Sequence, residues 1–202
     1  DGEDFLSSPF YFTLTLHTTN APINLPELIQ KPVSFRLGHE ASSAKTYHGL
    51  IYQADYCQKA DSPVRVLRVM LCPWLQWLDE TVDSRVYAVE KPMSLVDIVE
   101  AVFKRQGFSD YQLRLSKTYP PVDLCVQYEE SDLNFVSRLL EQAGIYYYFI
   151  HNNEQHTLIL EDAPIPTVGK TENALYSSDS HSNAHIQQWR ATASPQLSSA
   201  SA

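Results

Sequence analysis

Glycine is scarce in this chain, with six in 202 residues. None falls in a G-x-G-x-x-G or P-loop spacing, so no phosphate-cradling loop is encoded. A G-x-S-x-G nucleophile elbow is absent too. There are three cysteines, Cys57, Cys72 and Cys125. An odd number without C-x-x-C spacing argues against a disulfide framework or a zinc finger. Set among apolar residues, all three read as buried, inert thiols of a protein folded in a reducing compartment. Basic side chains are outnumbered 15 to 24, for a formal charge of −9. That balance disfavours nucleic-acid binding, which needs clustered Lys and Arg. No apolar run approaches the roughly 20 residues of a membrane-spanning helix. The opening Asp1-Gly2-Glu3-Asp4 is acidic where a secretory leader is basic. What is present, 44% hydrophobic and 19% charged residues, suits one large or two small globular domains with real cores.

Along the chain, the alternation over 12–16 predicts a half-buried strand, and 33–37 a second. Pro26 and Pro32 bracket a segment long enough for one helical turn, and 38–44 reads as a turn. Residues 46–56 and 64–71 form a strand pair joined through 58–63, with Val64, Val66, Leu67, Val69 and Leu71 as the apolar positions and Arg65 and Arg68 between them. Four or five strands within 75 residues indicate a small barrel or sandwich. The period then changes. Leu95, Ile98, Val99, Val102 and Phe103 share one helical face; Ser94 and Asp97 make a capping box, and Gly107 ends the helix. Strands follow at 111–115 and 124–128. A second helix is capped by Ser131, striped by Leu133, Val136, Leu139, Leu140 and Ala143, and closed by Gly144. Residues 145–150 and 156–161, around Asn152-Asn153, form a hairpin. Residues 163–183 are polar and rich in turn formers, a strand starts again at 185, and 191–202 is a frayed Ser/Ala tail.

Candidate chemistry is thin. His181 and His185 have a metal-ligand spacing but no third ligand in view. His48 reads as a packing or hydrogen-bonding histidine rather than a base. Asp79, Glu80 and Asp83 could be paired carboxylates, but a solvated acidic turn explains them. Glu129, Glu130 and Asp132 read the same way, favoured by the positive end of the following helix. Tyr146-Tyr147-Tyr148-Phe149 could stack on a sugar or base. Alternation instead sends half the rings to the core and leaves half to cover a helix or a neighbouring subunit. No catalytic, cofactor-binding or metal residue is assigned, and the chain is read as a non-enzyme.

Two segments together carry a resemblance. One runs from Tyr119-Pro120-Pro121 into Q-Y-x-E-S-D-x-x-F-V-x-R-L-L-E-x-x-G-I-x-Y-x-F, starting at Gln127 and ending at Phe149. The other is Tyr47-His48-Gly49-Leu50-Ile51 with Pro73-Trp74-Leu75 and Asp83-Ser84-Arg85-Val86-Tyr87 after it. In this order they resemble the valine–glycine repeat protein G (VgrG) family, the spike of the bacterial type VI secretion system, over about residues 9–162. The resemblance implies an α+β fold, with a small β-barrel of the contractile-tail hub type followed by a mixed strand/helix module. It sets a first barrel at 9–78 that lacks its first strand, a mixed module at 79–162 and a linker at 163–184. A second barrel begins at 185–202 and is cut short before the needle. It implies a structural homotrimer that caps a tube of the haemolysin-coregulated type and joins in puncture and delivery with effector or tip proteins. It needs no cofactor, nucleic acid or integral membrane segment. Such a protein sits in the cytoplasm before firing and is exported without a signal peptide. A baseplate hub of a contractile phage tail or tailocin-like particle is the alternative within the same fold. A hydrolytic effector is the alternative of another class, and the effector domains some family members carry lie at the far C-terminus.

Overall fold

The structure, a computed structural model, describes residues 1–19, 23–37, 45–58, 64–152 and 155–164, and the backbone of 175–176 and 185–186. Residues 1–164 form one compact unit and 165–202 a second.

The chain opens with β1 (Gly2–Glu3) and β2 (Tyr11–Thr18), then a 3-10 turn at Leu25–Leu28 with Pro26 in its first turn. β3 (Pro32–Leu37), β4 (Lys45–Gln58) and β5 (Arg65–Cys72) complete an antiparallel sheet of order β1-β2-β5-β4-β3. The expected strand pair is β4–β5, with its loop and the 38–44 turn largely outside the described residues. A bulge between Ile51 and Gln53 interrupts its register. The apolar face differs from the expected one. Leu67, Val69 and Leu71 point inward with Ile51, whereas Val64 is 39% exposed. Leu25, Leu28 and Ile29 pack on this small core from the 3-10 turn. Among the described residues β1 and β3 are sheet edges with no pairing to each other, so the five strands make an open sheet.

A second 3-10 segment, Trp74–Glu80, leads to β6 (Val82–Tyr87), β7 (Met93–Ser94) and α1 (Leu95–Arg105). α1 starts where its capping box places it: Ser94 Oγ accepts the Asp97 N–H and the Asp97 carboxylate accepts the Ser94 N–H. It stops at Gly107, whose φ of +79° lets the Phe108 N–H reach back to the Phe103 carbonyl. β8 (Tyr111–Arg114), β9 (Pro121–Val122), β10 (Cys125–Ser131) and α2 (Asp132–Ala143) follow. α2 is capped by Ser131 and ended by Gly144 at φ +68°. β11 (Tyr146–Asn152) and β12 (Gln155–Glu161) form the hairpin, and β8 adds to β12 in parallel.

The large core lies between α1, α2, the Trp74–Glu80 segment and the β11-β12-β8 sheet, and Phe10 enters it from the first sheet. Two details depart from the helical stripes. On α2 the wholly buried Phe135 occupies the centre and Leu133 only its margin. On α1 Val96 is buried and Leu95 partly so. In the second unit β13 (Leu175–Tyr176) and β14 (His185–Ile186) pair in parallel.

Candidate interaction surfaces

β6 and β10 form an antiparallel ribbon of two strands, with Cys125 opposite Tyr87 and Val126 opposite Val86. Its inner face is committed to the core. Tyr87 stacks on Phe135 at 5.3 Å, and Cys125 and Gln127 are buried. Among the described residues its other side carries exposed apolar side chains: Val86 is 58% exposed, Val126 40% and Tyr128 70%, with Leu124 at 59% just ahead of β10 and Val82 at 66% at the far end of β6. Single exposed apolar side chains are ordinary, but a cluster on one face marks a surface meant to be covered. The ribbon is held from below. Arg138 on α2 donates to Glu130 at 2.7 Å and to the Val126 carbonyl at 2.6 Å. Glu129 adopts a positive φ of +47° at the bulge, where its N–H meets Ser84 Oγ. The outer face is therefore a rigid platform. Among the described residues β3 is one edge of the first sheet and the short β1 the other. Such edges pair readily with another strand.

The carboxylates do not converge. Asp79 accepts from Ser131 Oγ at 2.7 Å, Glu80 from the Tyr52 hydroxyl, and Asp83 from Arg85 at 2.5 Å and the Ser84 N–H. Each is used by a different neighbour. Asp132 corrects the reading of a solvated acidic turn, because its side chain is fully buried. It accepts from Arg105 at 2.5 Å, Gln106 at 2.6 Å and Gln127 at 2.8 Å, locking the end of α1 to the start of α2 and to β10. Glu129 does lie toward solvent, whereas Glu130 is half-buried and paired with Arg138. Asp162 was not singled out from the sequence, yet it organises the 116–119 loop through Ser116, Lys117 and Tyr119. Burial would raise its pKa, but hydrogen bonds, led by those from the Ser116 and Lys117 N–H groups, hold it well below the usual carboxylate range.

Cys72 and Cys125 are buried, and burial pushes the Cys72 thiol up to about 12. Cys57 is exposed, against expectation, because it shares the outward face of β4 with Gln53 and Asp55. In the aromatic run Tyr147 and Phe149 are core, while Tyr146 and Tyr148 stack on the outer side and Tyr148 donates to Glu161. His48 is buried, its Nδ1 2.8 Å from Ser34 Oγ. His181 lies outside the described residues, and His185 is described only through its backbone in β14. An open groove of about 1020 Å³ runs beside α1, lined by Lys91, Asp97, Glu100, Lys104 and Tyr111. Its clearest polar contact, the Tyr111 hydroxyl on Glu100 at 2.8 Å, ties β8 to α1. Among the described residues no set of three or more His, Cys, Asp or Glu side chains is placed to hold a metal ion. No helix among them is long and apolar enough to cross a membrane.

The profile of the phage tail baseplate hub (GPD) family matches residues 3–202. The chain belongs to that family. This hub chain is 37% identical over 163 residues to the type VI secretion system spike protein VgrG1b of Pseudomonas aeruginosa, covering 81% of the chain and 22% of the relative. It spans about a fifth to a quarter of the length of the first three relatives it matches. Its fold is that of the E. coli c3393 protein, a type VI secretion component similar in structure to the T4 bacteriophage tail proteins gp27 and gp5. The TM-score is 0.71 at 23% identity, over 80% of the hub chain and 44% of c3393. The Francisella PdpA–VgrG complex matches with a TM-score of 0.57 at 15% identity, over 89% of the hub chain and 30% of the matched one. The family match and the fold agree on a tail-hub domain.

Proposed function

We propose that this chain is the hub-forming portion of a type VI secretion spike, which caps the tube and takes part in puncture and effector delivery. The observation that carries the reading is the 37% identity to a secretion spike protein over 163 residues, within a family match spanning residues 3–202. The bare apolar face of the β6–β10 ribbon supports it. A part that transmits force needs wide interfaces more than any single reactive group, and Val82, Val86, Leu124 and Tyr128 supply a surface of that kind. In the complete protein the chain forms a homotrimer seated on a tube of the haemolysin-coregulated type, with effector or tip proteins as further partners. Residues 9–78 form the first hub barrel, extended at one edge by β1, and the open edges at β1 and β3 are closed within the assembly. Residues 79–162 are the supporting module, 163–184 the linker and 185–202 the start of the second barrel. No residue among those described is assigned a catalytic, cofactor-binding or metal-binding role. The protein resides in the cytoplasm before firing and leaves without a signal peptide.

The test is made in the source bacterium. Deleting the gene should abolish release of the tube protein into the medium. The complete protein should sediment as a trimer, and Val86→Asp with Tyr128→Asp should weaken that trimer without unfolding the subunit. Undiminished tube release together with a monomeric complete protein would refute the reading. The second reading, a contractile phage or tailocin baseplate hub, is favoured by the description of the matching family. It predicts that the deletion abolishes particle production and leaves tube export untouched.

A further inference from the structure

The β11–β12 hairpin meets the first sheet at a cluster of three histidines. His48 sits on β4, His151 on β11 and His156 on β12, with His151 directly opposite His156. Phe10 packs among them, its ring 5.2 Å from that of His151 and 5.6 Å from that of His156. Two hydrogen bonds hold the hairpin here, one to β4 of the first sheet and one to the Trp74–Glu80 segment that follows β5, and in both a histidine ring is the acceptor. The backbone N–H of His48 donates to His151 Nδ1 at 3.1 Å. The backbone N–H of Trp74 donates to His156 Nε2 at 2.9 Å.

A neutral imidazole has one donor and one acceptor nitrogen. Since Nδ1 of His151 accepts, its proton sits on Nε2, which is buried without a partner. Since Nε2 of His156 accepts, its proton sits on Nδ1. Each ring can take a second proton only at the nitrogen that accepts from the backbone. Protonation therefore turns an attractive contact into two opposed N–H groups. Basic groups and one carboxylate make up the rest of the charged surroundings. From β4, Lys45, Tyr47 and His48 face the cluster, with Lys45 over the Tyr47 ring and that ring 5.1 Å from His151. From the chain ahead of β8, Asp110 lines the adjacent cavity with His48, Trp74 and His156, and its backbone carbonyl accepts from Trp74 Nε1.

We infer that His151 and His156 form an acid-released latch, which holds the β11–β12 hairpin against the first sheet while both rings are neutral and lets go when they are protonated. Burial first, then repulsion from neighbouring basic groups (His48 and Lys45 for His151, the other two histidines for His156), pulls both pKa values down to about 4. In the unfolded chain they return to about 6.5. The opened state thus binds more protons than the native one between these values. The latch is complete above about pH 6.5 and is lost as pH falls from 6.5 through 4.

The test uses the 202-residue chain. Between pH 7 and 5 its unfolding constant should rise on the order of 10² to 10³-fold from these two rings. Hydrogen exchange, corrected for intrinsic rate, should show the His48, Trp74 and hairpin amides losing protection over the same interval. His151→Asn with His156→Gln keeps an acceptor oxygen near each nitrogen and removes the titration. That variant should change less than about 10-fold over the same range. An equal pH dependence in both proteins, or none in the wild type, overturns the latch. If the variant does not fold, imidazole nitrogen shifts of the wild type decide. Rings still neutral at pH 5.5, with the tautomers above, support the latch, and rings titrating near 6.5 overturn it.

Discussion

Asp132→Ala is the substitution on which the packing of the mixed module turns. The carboxylate is fully buried and receives Arg105, Gln106 and Gln127 at 2.5, 2.6 and 2.8 Å. Removing it leaves three donors facing a void. Arg105 is partly relieved, since its side chain is 25% exposed and it also donates to the Tyr87 hydroxyl. Gln127 is worse placed. It is wholly buried, its Oε1 already lacks a partner, and its Nε2 keeps only the Glu130 carbonyl at 3.2 Å. Breaking a buried pair by removing one partner costs about 3–5 kcal/mol. The partial exposure of Arg105 puts the expected loss near the lower end, about 3 kcal/mol. That is a large part of the 5–15 kcal/mol typical of a whole domain. Urea unfolding followed by the fluorescence of the core residue Trp74 and its near neighbour Trp77 measures it. Glu129→Ala, an exposed carboxylate in the same acidic run, serves as the control and should cost less than about 0.5 kcal/mol. If Asp132→Ala also costs less than about 1 kcal/mol, the buried network does not hold α1 to α2 and the solvated acidic turn is the better description.

The remaining expectations are local. Ser94→Ala removes one half of the α1 capping box and should cost about 1 kcal/mol, or roughly 2–4 °C in Tm; an unchanged Tm would mean the cap is idle. Gly49→Ala should destabilise by about 1–3 kcal/mol. The new Cβ would lie 3.2 Å from the Cys72 carbonyl oxygen and from Leu71 Cβ, and 3.4 Å from Phe10 Cε2, and the carbonyl cannot easily give way; a neutral result in denaturant melts would show that β4 and β5 have slack there.

The legible parts of the fold were those whose causes lie close in sequence. A capping box spans four residues, so Ser94 and Asp97 announced α1, and Ser131 with Gly144 bounded α2. The hairpin was readable because its two arms are adjacent. Asp132 was misread for the same reason. An acid at a helix start has a sufficient local explanation in the helix dipole, while its decisive partner Arg105 is 27 residues away. The histidine latch is less local still. Its donors lie 103 and 82 residues from the rings, and no spacing rule joins His48 to His151 or Trp74 to His156.

β10 reads backwards, and the reversal bears on assembly. Its sequence runs Cys125-Val126-Gln127-Tyr128, and a strand packing one face on a core should turn Val126 and Tyr128 inward with Gln127 outside. The structure does the opposite. Gln127 is wholly buried while Val126 is 40% and Tyr128 70% exposed. Two requirements meet in this choice. The carboxylate of Asp132 needs a neutral donor beside Arg105, and Gln127 Nε2 supplies it, which fixes the register. Period two then forces the neighbours of Gln127 to the other side. A monomer would gain from polar residues there, because an exposed valine and tyrosine beside Val86 and Leu124 bring no packing. Apolar residues at these positions make physical sense when another surface covers them. The burial of one glutamine therefore accounts for the exposed Val126 and Tyr128, and it leaves the apolar surface on which the proposed assembly draws.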